Sequence, residues 1–75
     1  MDRYFKYNDS ADGTPGVVFR MRDDDTGLHL ERAAPGGQWI GDWENLAPLV
    51  YGGDVGVDEL DAVNVPAALA RYLGE

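Results

Sequence analysis

Two stretches of strict alternation, separated by turn-forming residues, constrain this chain more than any other feature. Val17, Phe19 and Met21 are apolar while Arg20 and Arg22 are charged, and Leu28 and Leu30 alternate with His29 and Glu31 in the same way. A period of two marks a strand with one buried face, and the intervening Asp23-Asp24-Asp25-Thr26-Gly27 suits a turn. An antiparallel hairpin is predicted. With residues 24–27 as its loop, Met21 lies opposite Leu30, Arg22 opposite His29 and Arg20 opposite Glu31. Apolar then meets apolar, Arg20 gains a counter-charge, and a slip of one residue would turn every side chain to the other face.

Two further strands are expected around this hairpin. Arg3 to Asn8 holds three aromatics about a central Lys6, a β-favouring run that ends at the turn-rich residues 8–16. Ala34-Pro35-Gly36-Gly37 makes another turn, leading to Gln38-Trp39-Ile40-Gly41-Asp42-Trp43. If Ala33 pairs with Gln38, Trp43 faces Leu28, Trp39 faces Arg32 and His29 faces Asp42. Both tryptophans then share the apolar face with Leu28 and Leu30, where residues of this size usually form core.

Helical signals come later. Asn45 can cap a brief helix with Leu46-Ala47-Pro48 in its first turn, where proline's missing N–H is tolerated, and Gly52-Gly53 stops it after Tyr51. Pro66 opens a terminal helix through residues 67–73, placing Leu69 and Leu73 on one side, and Gly74 ends it. Residues 54–63 carry mixed signals and are read as irregular, with a short strand around Leu60. The expected fold is α+β: a three- to four-stranded antiparallel β-meander followed by two short C-terminal helices, in a single small domain over residues 1–75.

Composition narrows the partners. Six Lys and Arg face fourteen Asp and Glu, a net charge of −8 over 75 residues, which repels phosphate backbones and anionic headgroups. Nucleic acid and membrane are therefore not expected as partners. The imbalance is concentrated, because residues 1–32 hold five basic and seven acidic side chains while residues 33–75 hold one and seven. Eight aromatics and 44% hydrophobic residues separate the chain from a disordered acidic tail. Without cysteine it has no disulfide to supplement a thin core, and the start Met1-Asp2-Arg3-Tyr4 lacks the apolar run of a signal peptide. A cytoplasmic location is the expectation.

The residue types that carry chemistry are sparse. Asn8-Asp9-Ser10-Ala11-Asp12-Gly13 resembles the opening of a calcium loop, but its twelfth position is Phe19 where a bidentate Glu is needed, so it is read as a polar loop. Asp23-Asp24-Asp25 is read as a solvated hairpin tip. His29 beside Asp42 would be an oriented base, yet the chain has one Ser, Ser10, in a loop without nucleophile context, and no Cys. Neither a catalytic residue nor a metal or other cofactor is assigned. What remains is the acidic stretch 54–61, where Asp54, Asp58, Glu59 and Asp61 supply charge and Val57 and Leu60 supply apolar contact. These six residues are the candidate binding surface for a basic protein.

Tyr4-Phe5-Lys6-Tyr7, the strand Val17 to Arg22, Trp39 and Tyr51-Gly52-Gly53 follow one another in an order that resembles short uncharacterised bacterial proteins. The resemblance spans most of the chain and implies no activity. The expected function is a non-enzymatic protein-interaction domain: an adaptor, inhibitor, immunity-type partner or accessory subunit. The alternatives are an acidic nucleic-acid mimic that occupies a basic groove, and a small ligand-binding protein or enzyme using His29 and Asp42.

Overall fold

A computed structural model describes residues 2–7, 14–52 and 56–74. Five strands form one antiparallel sheet: β1 (Asp2–Tyr7), β2 (Val17–Asp24), β3 (Gly27–Ala34), β4 (Gln38–Gly41) and β5 (Val57–Leu60). Their spatial order is β4-β3-β2-β1-β5. The first four strands run as a meander, and the fifth joins the outer edge of β1 after the chain has passed through helix α1 (Trp43–Tyr51). Helix α2 (Val65–Leu73) follows a short 3₁₀ turn over Ala62–Asn64. The class is α+β as expected, but the sheet has five strands where three to four were predicted, the fifth lying in the segment read as irregular with a short strand around Leu60. A strand also separates the two helices.

The β2–β3 hairpin has the predicted register: Met21 pairs with Leu30, Arg22 with His29 and Arg20 with Glu31. Its strands extend further than expected, so that Asp24 pairs with Gly27 and only Asp25 and Thr26 form the tip. Asp24 stabilises that tip through its carboxylate, which accepts hydrogen bonds from the Thr26 backbone N–H at 2.9 Å and hydroxyl at 2.6 Å.

The β3–β4 turn corrects the expected phase. Ala33 pairs with Trp39, not Gln38, and Ala34 pairs with Gln38. The turn is shorter by one residue because Gly36 and Gly37 adopt left-handed φ of 81° and 74°, conformations that side chains rarely take. One residue of shift moves Trp39 to the face opposite Leu28 and Leu30. Strand β4 also ends at Gly41, before Trp43 can face Leu28. The Asp42 carbonyl accepts the Leu46 N–H at 3.0 Å, and its carboxylate accepts Asn45 Nδ2 at 2.9 Å, so the helix begins at Trp43 with Asp42 before it. Asn45, expected as the cap, lies inside the first turn. Pro48 falls in the helix interior, where it removes a bond that the Glu44 carbonyl would have received.

Each face of the sheet is covered by one helix. On the first face Phe5, Phe19, Leu30 and the α1 residue Leu46 form a buried cluster, with the Phe5 and Phe19 rings stacked at a centroid distance of 5.2 Å. On the second face Val18 and Ala33 pack against Ala68 of α2, joined by Trp39, Leu60, Leu69 and Tyr72. Full burial of side chains such as Phe19, Leu30 and Val18 contributes about 1.5–3 kcal/mol each. Helix α2 begins with Pro66 in its first turn and ends at Gly74, whose φ of 74° is the left-handed stop expected there.

Candidate functional site

The candidate acidic surface lies on edge strand β5. Because Lys6 pairs with Asp58 and Phe5 with Glu59, alternate residues of β5 turn to opposite faces. Val57 packs against the Phe5–Phe19 cluster and Leu60 against the Val18–Ala33 cluster. These two aliphatics were expected to contact a partner, and instead they attach the strand to both of the domain's own cores. Asp58, Glu59 and Asp61 remain exposed. Asp54 lies outside the described residues. The Arg3 guanidinium forks onto Glu59 with contacts of 3.0 and 2.8 Å, and this hydrogen bonding holds the Glu59 carboxyl below its ordinary range.

A second constellation occupies the half of the second face that α2 leaves open. Cross-strand alternation brings Arg20, Arg22, His29 and Glu31 onto one surface. Glu31 accepts from Arg20 Nε at 2.7 Å and from Arg22 Nε and Nη2, both at 3.3 Å. Hydrogen bonding from Arg22, then from Arg20, lowers its pKa despite the desolvation of a largely covered carboxylate. Arg22 also pairs with Asp24. Asp24 Oδ1 in turn faces His29 Nε2 at 3.3 Å, while Thr26 Oγ1 stands 2.8 Å from the same nitrogen. The Thr26 hydroxyl and N–H together pull the Asp24 carboxyl down to about 2. The carboxylate beside His29 is therefore Asp24.

The expected His29–Asp42 pair does not form. The shifted β4 register and the early start of α1 carry Asp42 to Arg32, 3.5 Å away, and to Asn45. Trp39 is also reassigned: the Arg20 guanidinium carbon sits 4.7 Å above its ring, and Tyr4 lies 5.8 Å from it between centroids. The arginine expected opposite Trp39 was Arg32, and the one-residue shift of register brings Arg20 to it instead. Among the described residues, no group of three or more His, Asp or Glu side chains converges as metal ligands would. The calcium-like loop at residues 8–13, Ser10 included, lies outside the described residues.

A groove of about 440 Å³ opens where β3 runs past the end of β4, lined by Leu28, His29, Leu30, Asp42 and Trp43 among others. Trp43 is 47% exposed and touches Tyr51, itself 61% exposed, at 6.2 Å between ring centroids. Trp43 had been expected in the core. The signal that it is not was the Asp42-Trp43-Glu44-Asn45 sequence, in which an Asp precedes an acidic first turn. Comparison with family models, curated proteins and solved structures yields no match.

Proposed function

We propose that this domain acts by binding a basic protein surface through the acidic edge at β5, as an adaptor, inhibitor, immunity-type partner or accessory subunit rather than as an enzyme. The observation that carries this is the anchoring of β5: with Val57 and Leu60 fixed in opposite cores, Asp58 and Glu59 are held at defined places on the sheet's outermost strand. Asp61 lies where the chain leaves the strand, also exposed. Fixed carboxylates on an exposed edge steer an oppositely charged partner and set its register, and a net charge of −8 adds a long-range component.

The test is capture from a lysate of the source organism at low and moderate salt, followed by association rates for the captured protein. Replacing Asp58, Glu59 and Asp61 by their amides should slow association about tenfold at low salt. The same loss should follow in the intact protein once the Debye length falls below roughly 8 Å. A partner whose association ignores both salt and the triple substitution would overturn the proposal. Displacement of that partner by DNA or RNA would favour the nucleic-acid mimic instead.

A further inference from the structure

Strand β3 has eight residues and its outer neighbour β4 only four, paired with Glu31–Ala34. One more rung follows, the Asp42 N–H donating to the Leu30 carbonyl at 3.0 Å. In an antiparallel ladder both backbone groups of alternate residues point to the same side, so this rung identifies Leu30 and Leu28 as the residues aimed outward. Asp42 does not extend the ladder, because its carbonyl already receives the first bond of α1 from Leu46. The Leu28 N–H and C=O are thus directed away from β2, along the side where the 440 Å³ groove lies. Leu28 and Trp43 line the groove and stay 36% and 47% exposed, leaving apolar surface beside an open strand edge.

We propose that this groove receives an extended, basic segment of a partner protein, which adds to β3 as a continuation of β4. Strand addition uses unpaired backbone groups for affinity and flanking side chains for selectivity, and both are present here. Charge complementarity selects the occupant. The groove lining includes the carboxylates Glu31 and Asp42 and, among the described residues, no lysine or arginine, in a chain of net charge −8. A second copy of this chain would set two such negative edges side by side, whereas lysines or arginines alternating with apolar residues would answer the charge and cover Leu28 and Trp43. This site is on the opposite edge of the sheet from β5 and does not depend on the acidic surface there.

The experiment titrates the full chain with a short capped peptide of alternating lysine and valine, followed by backbone amide hydrogen exchange. Exchange of the Leu28 amide should slow about tenfold at saturation while the β5 amides are unchanged. Because only alternate peptide nitrogens bond to a strand edge, methylating either the lysine nitrogens or the valine nitrogens should abolish binding in one case and spare it in the other. Trp43→Ala should weaken binding about tenfold. The triple amide variant of β5 should bind within about twofold of the parent, since its charges lie on the far edge and are screened. Should Trp43→Ala fail to fold, the two methylated peptides decide the matter alone. Equal binding of both methylated peptides, absence of saturable binding, or self-association of the chain without peptide would each overturn the proposal. Protection on β5 in place of Leu28 would overturn it too, while leaving the acidic-edge proposal standing.

Discussion

The two faces of the sheet are built from the same strands yet held by different forces. Under α1 the side chains are aromatic and aliphatic, and Phe5, Phe19, Leu30 and Leu46 exclude water from a continuous apolar cluster. Under α2 only one end is apolar, where the small Ala33 and Ala68 meet Val18. Toward the β2–β3 hairpin the face changes to the chain Arg20, Glu31, Arg22, Asp24 and His29. Burial stabilises in proportion to area and is indifferent to pH, whereas the ionic chain is weaker, screened by salt and tied to protonation. The first face therefore supplies most of the stability and the second most of the charge-dependent part, the Arg3–Glu59 pair beside Phe5 being the ionic contribution on the first.

The largest effect should come from the first face. Leu46→Ala removes the α1 side chain from a cluster in which it is 2% exposed, and should cost about 3 kcal/mol, read as a lower denaturation midpoint at unchanged m-value. Ala68→Leu tests the close approach of α2 to Val18 and Ala33, which are 0% and 3% exposed, and should cost about 2 kcal/mol by overpacking. If Ala68→Leu proved neutral, α2 would sit loosely and the second face would matter less than described. Glu31→Ala leaves two half-buried guanidiniums without their shared acceptor, and should cost about 1 kcal/mol at low salt and less at high salt.

The pH response separates the faces most selectively. Asp24 and Glu31 both have folded-state pKa values below their ordinary values of 3.8 and 4.5, so each favours folding while ionised. That contribution is complete above the ordinary carboxylate range and is lost as pH falls toward the Asp24 value of about 2. The melting temperature should accordingly decline between about pH 4.5 and 2, and the Asp24→Asn and Glu31→Gln variants should each flatten that decline. Leu46→Ala should lower the whole curve without changing its slope. A slope altered by Leu46→Ala and untouched by the two isosteric substitutions would show that the faces are not separable in this way.

What the sequence determined by itself is the local part. Alternation on both sides of an acidic turn set the β2–β3 register, and loops of two or four residues share that register when both are centred on Asp25-Thr26. Proline at the start and glycine at the end likewise delimited α2, because φ restriction and left-handed freedom are properties of single residues. The tertiary structure decided the rest. Trp39 changed faces because two successive left-handed glycines shortened a turn, a backbone choice that the pattern around it does not encode, and Trp43 left the sheet because α1 begins there. Strand β5 was legible only as a short strand around Leu60 within a segment read as irregular, and for a deeper reason. Val57 and Leu60 point to opposite faces and are both packed inward, so strict alternation does not mark the segment and their spacing of three is shared with a helix. Their placement makes sense only in a sheet covered on both sides. The Arg3–Glu59 pairing that accompanies it joins residues 56 positions apart, a separation that local sequence patterns do not span.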